Sequence, residues 1–308
     1  MNEKDKEYIE DHRYYGQVVM FSTQYALCSP YANTTVLRTP DVVQRGLLSA
    51  EDHFRGIDYL LNYRLEGSDL GFRAGLSRFY SREAILSSAL RPLQEDVESS
   101  FPLPKPESMR ASFDVIIRER RSERIYSGET ITLEELSAIL FAAQGVTGAL
   151  LLAEPEADAD RIYVRTQPSG GGMFPITLYI GVCNVEGLET GIYEYYPYSH
   201  SLYRHRDFTT DELLLSCDFG DIQPEKCAFT LYYMYNVLAN ANKYGDASFA
   251  YAMIETGEIA MNAQLATTAL SLGATDLGGY HKQYLEQLLG LDGIYKHIVH
   301  MTIFGNVE

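Results

Sequence analysis

The chain has 308 residues, of which 46% are hydrophobic, and this is enough to bury a core in one large domain or two small ones. The formal net charge of −17 argues against nucleic acid as a partner, because phosphate backbones are bound by clustered lysines and arginines. A local basic pocket for a single phosphate remains compatible with that charge.

The cysteines and the apolar stretches exclude further classes. Cys28, Cys183, Cys217 and Cys227 form no CxxC motif or Cys/His cluster, so we expect neither a zinc site nor a disulfide framework. The charged N-terminus lacks the apolar core of a signal peptide. The most apolar stretch, 249–272, is interrupted by polar residues, which argues against a membrane span. These features favour a cytoplasmic protein.

The chain is predicted to have two parts. Proline, serine and acidic residues over 92–108 are typical of a linker. We therefore expect an N-terminal extension over 1–105 and a second domain over 106–308. Helical patches are predicted at 50–64 and 79–90, and the extension shows no chemical motif.

Helix signals are clear in the second domain. Ser112 can cap a helix that has Phe113, Ile116 and Ile117 on one face. A capping box of Thr132 and Glu135 precedes a helix that should end at Gly145. A long alanine-rich helix is predicted over 249–272.

Strands are predicted where apolar, aromatic and β-branched residues run together. They cover 176–182, 191–196, 201–206, 227–235 and 298–304, with a hairpin turn at 197–200. Helices and strands interleave, which favours an α+β or α/β fold.

One basic cluster could bind an anion. Arg120, Arg121, Ser122 and Arg124 place three guanidinium groups and a hydroxyl close together, and guanidinium offers a planar set of donors to phosphate oxygens. A solvated basic patch after a helix is the alternative.

The segment QPSGGGMFP, residues 167–175, contains three consecutive glycines. Such a backbone can approach a flat ligand or an anion closely, and Ser169 adds a hydroxyl. A flexible turn before the next strand explains the segment equally well. It is neither a P-loop nor a dinucleotide-binding fingerprint.

Lys243 and Tyr244 precede the long helix and could form a proton-transfer pair, since a desolvated lysine can act as a base near neutral pH. On the residues alone, a surface lysine beside a packed tyrosine is favoured over this interpretation.

Polar residues interrupt the long helix and must find partners there. They are Glu255, Glu258, Asn262 and Gln264. Core hydrogen bonding or a polar stripe at a subunit interface is the default interpretation, and a contact from Asn262 to a flavin is the alternative. Gly278 and Gly279 could expose backbone N–H groups, or could simply form a turn.

The order of these segments resembles the nitroreductase-like flavoproteins, and more narrowly the SagB/McbC-type dehydrogenases. The resemblance covers residues 112–306, through the segments RRSER, TLEELSAILFAAQGVTG, RTQPSGGGMFPITLYI, GIYEYYPYSHSLY and KYGDASFAYAMIETGEIAMNAQLATTALSLGATDLGG. It implies an α+β nitroreductase-like fold, with a central, mostly antiparallel sheet flanked by helices and one long central helix. It also implies a homodimer with FMN at the subunit interface.

The resemblance also implies a role for each candidate. The phosphate and ribityl oxygens of FMN would contact Arg120, Arg121, Ser122 and Arg124. The isoalloxazine would lie along Pro168, Ser169 and Gly171. Further cofactor contacts would come from Asn262, Gly278 and Gly279. Lys243 and Tyr244 match the Lys–Tyr pair regarded as catalytic in the azoline oxidases.

The implied activity is oxidation of thiazolines or oxazolines in a ribosomally made precursor peptide to the aromatic azoles. A neutral Lys243 would take the α-proton, Tyr244 would orient or share it, and FMN would accept the hydride before dioxygen reoxidises it. The implied partners are the heterocyclised peptide and a cyclodehydratase complex. Residues 1–105 would help to hold the peptide or a partner.

Two other functions stay open. One is an FMN reductase or nitroreductase that uses NAD(P)H and a small molecule, and the other is a non-catalytic flavin-fold scaffold in a synthetase complex. The sequence departs from the family at Ala247, where arginine is usual, and at Glu258, where histidine is common. These departures bear on the substrate and leave the fold unaffected.

Overall fold

The computed structural model describes residues 70–79, 94–106, 108–151 and 161–308, together with residues 56, 59, 60 and 63. The chain divides into two compact units, Met1–Asp69 and Leu70–Glu308. In the first unit, residues 56, 59 and 60 are helical, and the rings of Tyr59 and Tyr63 stack 5.1 Å apart. Most of the helix predicted over 50–64, and all but Phe79 of the one predicted over 79–90, lie outside the described residues.

The second unit alternates helices and strands. Its helices are α1 (Leu70–Arg78), α2 (Phe113–Glu119), α3 (Leu133–Gln144), α4 (Thr210–Leu214), α5 (Ala241–Tyr244), α6 (Ala247–Ala269) and α7 (Lys282–Leu288). Its strands are β1 (Ser100–Pro102), β2 (Val146–Leu151), β3 (Arg161–Arg165), β4 (Ile176–Val182), β5 (Gly191–Tyr196), β6 (Ser201–Arg206), β7 (Phe229–Asn236), β8 (Gly273–Asp276) and β9 (Lys296–Gly305).

The strands form one large sheet in the described part of the chain. It is seven-stranded, in the order β1-β6-β5-β4-β7-β9-β8, and its strand pairs are antiparallel. β2 and β3 pair separately as an antiparallel ribbon. The predicted α+β fold with an antiparallel sheet is therefore confirmed.

Helices cover both faces of this sheet. Successive side chains of a strand point to opposite faces, so β4 contributes to two hydrophobic clusters. Leu178 and Ile180 belong to the cluster that includes α3 and α6, whereas Tyr179 belongs to the one that includes α4 and α7. The sheet is thus the middle layer between two helical layers.

The long helix α6 lies in the first of these layers and packs beside α3. Its buried residues include Ala252, Ala260 and Ala263, whose small side chains allow close packing. The helix begins two residues earlier and ends three residues earlier than the predicted span 249–272. It carries several of the candidate site residues.

The predicted helix ends are partly confirmed. Thr132 and Glu135 form a reciprocal capping box before α3, which ends at Gly145. Ser112 occupies the N-cap of α2, but its side chain makes no capping hydrogen bond, so that part of the prediction is wrong. The apolar face of α2 is exposed, with Phe113 at 69% and Ile117 at 51%.

The predicted linker is corrected, and one strand was not predicted. The predicted linker 92–108 contains β1, which pairs with β6, and Leu103 just after it is buried. The prolines of this segment argued against a strand. However, proline is tolerated in an edge strand, and β1 is at the edge of the sheet. Residues 273–276, for which no strand was predicted, form β8 on the opposite edge because they pair with β9.

Candidate functional site

The glycine-rich turn joins β3 to β4 and contains a short 3-10 segment at Gly170–Gly172. Gly171 and Gly172 adopt positive φ angles of 60° and 66°, which side chains other than glycine adopt only with strain. A Cβ atom at Gly171 would also overlap the Lys243 Nζ and the Tyr244 hydroxyl. Glycine is therefore required at this position by conformation and by space.

Lys243 and Tyr244 lie on α5, a single helical turn. Asn240, which immediately precedes α5, anchors it to neighbouring residues. The side chain of Asn240 is buried, accepts a hydrogen bond from the Tyr235 hydroxyl at 2.9 Å and donates one to the Ser248 carbonyl at 3.0 Å. Tyr244 is buried, and its ring meets that of Tyr251 edge-on at 5.0 Å. The pair is thus held on a rigid support.

Lys243 is half-buried, and burial lowers the pKa of its ammonium group. Its Nζ lies 5.2 Å from the centroid of the Tyr244 ring and 5.2 Å from that of Phe79. A lowered pKa leaves more of the amine neutral near neutral pH, which is the form that can accept a proton. Lys243 is therefore a half-buried lysine beside two aromatic rings, and its catalytic role stays a prediction.

Helix α1 and the residue after it contact Lys243. They belong to a part of the chain in which the sequence showed no chemical motif. A Cβ at Gly75 would lie 2.6 Å from the Lys243 carbonyl oxygen, so α1 approaches α5 as closely as glycine permits. Phe79, directly after α1, supplies the ring over the ammonium. Two helices can approach this closely only where one of them has a small residue. The glycine at position 75 was therefore the one signal of this contact in the sequence.

Glu255 of α6 lies beneath the glycine-rich turn and is 2% exposed. Its Oε2 accepts a hydrogen bond from the Ser169 hydroxyl at 2.6 Å, and its Oε1 accepts one from the Gln167 side chain at 3.5 Å. Burial raises the pKa of Glu255 to about 7, although both hydrogen bonds and the charge of Arg165 oppose that shift. The polar residue expected in this helix thus has partners in the turn.

The basic cluster begins directly after α2. Arg120 donates from Nη1 to the Gln264 side chain at 3.3 Å, and Gln264 donates to Asp276 at 2.8 Å. Arg121, Ser122 and Arg124 are exposed. Arg120 is therefore ordered by α6 and β8, while its neighbours face solvent.

Asp276 connects this cluster to the sheet. Thr302 donates to its carboxylate at 2.7 Å, and the imidazole of His300 lies 3.0 Å from it. Burial raises the pKa of Asp276, but the hydrogen bonds from His300 and Thr302 outweigh burial and leave it below its usual value. Sequence reasoning did not single out Asp276, because its role depends on the pairing of β8 with β9.

The remaining candidates lie at different places. Asn262 is half-buried on α6, and Pro168 is exposed in the turn. Gly278 and Gly279 are exposed after β8, where Gly279 packs against Asp218 and accepts its backbone N–H at 3.0 Å. Their predicted flavin contacts stay predictions.

The structure therefore gathers the candidates into two groups along α6. One group joins the glycine-rich turn, Lys243 and Tyr244 to Glu255, and the other joins Arg120 to Gln264. Glu255 and Gln264 are nine residues apart, a rise of roughly 13 Å along a helix. Among the described residues, no hydrogen bond or ion pair connects the two groups directly.

The cysteines in the described part of the chain, Cys183, Cys217 and Cys227, are free thiols, and burial raises the pKa of each. No group of three His, Cys, Asp or Glu side chains suited to a metal ion occurs within the described ranges. None of the helices described has the length and apolar character needed to cross a bilayer.

The chain is similar in sequence to known proteins. The sequence pattern of the nitroreductase family matches residues 117–306. A nitroreductase-like protein of Methanocaldococcus jannaschii is 33% identical over 187 residues, which are 61% of this chain and 87% of that protein. The Escherichia coli microcin B17-processing protein McbC is 29% identical over 151 residues, which are 47% of this chain and 55% of that protein.

One solved structure extends the similarity in three dimensions. The E. coli microcin synthetase McbBCD complex, solved with a truncated pro-MccB17 bound, contains a chain similar to this one with a TM-score of 0.50 and 21% identity. The match covers 82% of this chain and 86% of that chain. At this identity the similarity concerns the fold.

The raised pKa of Glu255 predicts a pH-dependent difference between the wild type and Glu255→Gln. The folded-state pKa of about 7 exceeds the usual 4.5, so the stabilising contribution is present below about pH 4.5 and is lost as the pH rises through 7. Relative to Glu255→Gln, the wild-type free energy of unfolding should fall by roughly 3 kcal/mol between about pH 4 and about pH 8.

Urea unfolding of both proteins across this range measures the difference. Glu134→Gln, which changes an exposed carboxylate on α3, is the matched control and should leave the curve parallel to that of the wild type. Parallel curves for Glu255→Gln would contradict the assignment.

Proposed function

The chain belongs to the nitroreductase family, and we propose that it acts as an FMN-dependent oxidoreductase that dehydrogenates azolines in a precursor peptide. Proteins of this family are flavoproteins. The observation that carries the proposal is the meeting of Lys243 Nζ and the Tyr244 hydroxyl at Gly171. The similarity to McbC supports a peptide rather than a small-molecule substrate.

The residues present fit a flavin. A Cβ at Gly172 or Gly278 would meet no atom within 4 Å, so backbone is open to a flat ligand at both places. Arg121, Ser122 and Arg124 offer exposed donors beside an ordered Arg120, and that donor set suits a phosphate. When bound, the flavin supplies the hydride acceptor for the reaction.

The proton chemistry falls to this chain's own residues. Loss of two hydrogens from an azoline removes one as a proton from the α-carbon and one as a hydride from the β-carbon. The half-buried amine of Lys243 has a lowered pKa and can accept the proton at Nζ. The Tyr244 hydroxyl, which meets the same glycine, can orient that amine or share the proton.

An NAD(P)H-dependent reductase acting on a small molecule is the second candidate, favoured by the 33% identity to the M. jannaschii nitroreductase-like protein. Oxidation of a heterocyclised peptide without added NAD(P)H separates it from the first function. A scaffold within a synthetase complex would bind flavin without turnover. For the first function, the proposed partners are the heterocyclised precursor peptide and a cyclodehydratase complex, with residues 1–105 helping to hold one of them.

A homodimer is part of the proposal. Ile254 and Met261, seven residues apart on α6, are 60% and 46% exposed, and this spacing places them on one face of the helix. Helix α2, which contacts α6, exposes Phe113 and Ile117. Apolar side chains exposed together on neighbouring helices indicate a protein–protein contact.

The first expected outcome concerns the cofactor. The purified protein should be yellow and bind FMN, and Arg120→Ala should weaken binding by about 10- to 100-fold, because a charge-assisted hydrogen bond contributes about 1.5–3 kcal/mol. Arg118→Ala is the matched control, since Arg118 pairs with Asp114 at the surface. Fluorescence titration with FMN measures both, and a colourless protein that takes up no FMN would refute the cofactor assignment.

The second outcome concerns assembly. Ile254→Glu places a charge on the exposed apolar face of α6 and should shift the protein from dimer to monomer, as measured by light scattering. Ile294→Glu changes another exposed isoleucine, at 68% exposure, and should leave the dimer intact. A wild-type monomer that carries FMN would contradict the proposal.

The third outcome concerns the reaction. Lys243→Ala and Tyr244→Phe should keep FMN while azoline oxidation falls by about 10²–10⁴-fold, because both residues act on the proton and neither carries the hydride. Loss of two mass units per azoline on a heterocyclised peptide measures turnover, and flavin absorbance measures occupancy. Near-normal oxidation by Lys243→Ala would remove the pair from the mechanism.

Two controls sharpen this test. Lys226→Ala removes a surface lysine that pairs with Glu308 and should be silent. Gly171→Ala and Gly172→Ala share the strain of a positive φ, but only the first methyl group would meet Lys243 and Tyr244. Oxidation should therefore fall further in Gly171→Ala than in Gly172→Ala.

A further inference from the structure

Glu255 connects the rigid helix α6 to the turn that carries Gly171. We propose that Glu255 is a positioning residue, whose carboxyl group holds residues 167–174 in the arrangement that seats Gly171 against Lys243 and Tyr244. The inference rests on the proposed function, because it takes Lys243 and Tyr244 as the groups that act on substrate.

The contacts of Glu255 reach both sides of the three glycines. Before them, Gln167 and Ser169 donate to its two carboxyl oxygens at 3.5 Å and 2.6 Å. After them, the backbone N–H of Phe174 donates to the Ser169 hydroxyl at 2.8 Å. One carboxyl group therefore ties the start of the turn to α6 directly and ties its end through a single serine.

The turn needs such a connection because its glycine-rich sequence does not by itself favour one backbone conformation. Glycine has wide backbone freedom, and fixing a residue in one conformation costs about 1–2 kcal/mol. Phe174 has a positive φ of 43°, a conformation that persists only when surrounding contacts enforce it. The turn's internal hydrogen bonds, from Gly172 N–H to Ser169 and from Met173 N–H to Gly170, are local and do not attach it to the core.

The consequence for the reacting groups is steric. The space left by the missing side chain of Gly171 is occupied by the Lys243 amine and the Tyr244 hydroxyl. A shift of the turn therefore moves the surface against which both groups rest. Retaining a carboxyl group in a site that is 2% exposed is costly, and its hydrogen bonds to the turn offset that cost.

The charged groups that act on Glu255 come from two elements. Arg165 at the end of β3 stabilises its ionised form, and Glu258 on α6 opposes ionisation. Burial leaves the pKa of Glu255 at about 7. An amide in its place keeps an acceptor oxygen for Ser169 and removes the charge, so glutamine is the informative conservative replacement.

Hydrogen exchange of the flavin-loaded protein tests this role of Glu255, called the clamp below, without any substrate. Ser169→Ala and Glu255→Ala should each speed exchange of the amides of residues 172–174 by about tenfold, the effect of losing one hydrogen bond. Glu255→Gln should stay close to the wild type. The double variant should add little to either single one, since both changes remove the same connection.

The reaction is followed in parallel. Glu255→Ala should lower kcat for azoline oxidation with KM and FMN occupancy nearly unchanged, and Glu255→Gln should restore kcat. If Glu255→Ala does not fold, Glu255→Asp, whose shorter side chain keeps the carboxyl group but should not reach Ser169, carries the same comparison.

The outcomes separate the two proposals. Unchanged exchange in Ser169→Ala, or Glu255→Gln behaving like Glu255→Ala, would overturn the clamp. A wild-type protein that oxidises no azoline would overturn the proposed function, while the exchange result still decides the clamp.

Discussion

The candidate site depends on one close approach, that of Gly171 to Lys243 and Tyr244. These residues are far apart in sequence and meet only because the turn after β3 folds over α5, where a single Cβ atom would already overlap both side chains. The turn and the helix therefore fix each other. The lysine between them is shielded by Phe79 and by the Tyr244 ring, and the resulting burial lowers its pKa.

Helix α6 is the rigid element on which this arrangement is built. Its alanines pack closely against α3 and the sheet, so the few polar side chains that it carries have well-defined positions. Glu255 fixes the glycine-rich turn, and Gln264 fixes Arg120 and Asp276. One rigid element thus sets the spacing between the group around Gly171 and the group around Arg120.

Sequence patterns predicted the elements whose signals are local. The strands at 176–182, 191–196 and 201–206 match β4, β5 and β6, because each combines strand-forming residues with a nearby turn. The capping box of Thr132 predicted the start of α3 for the same reason. Where structure depends on a distant partner, the patterns failed: β1 is a strand only because β6 lies beside it, and β8 only because of β9.

In the candidate site, too, local features could be predicted from the sequence and contacts with distant residues could not. Residue types alone favoured a surface lysine at position 243, and only the resemblance to a known family raised it to a catalytic candidate. What local sequence could not provide was its surroundings, since Gly75, Phe79 and Gly171 reach it from two other segments. Glu255 was recognisable as a polar residue in need of partners, but not as the residue that ties the turn, because its partners lie almost ninety residues away.

Electrostatics reconciles an acidic protein with a phosphate-binding proposal. The net charge of −17 is spread over the whole chain, and exposed charges are largely screened beyond about 8 Å at physiological ionic strength. A ligand at residues 120–124 therefore responds mainly to the nearest groups, which are the three guanidiniums of that stretch and the carboxylate of Glu123. The carboxylate closest to them in the network, Asp276, is engaged by Gln264, Thr302 and His300. Its negative charge is thus partly engaged by these three side chains, and within residues 120–124 three arginines face a single carboxylate, Glu123, so the local charge is positive.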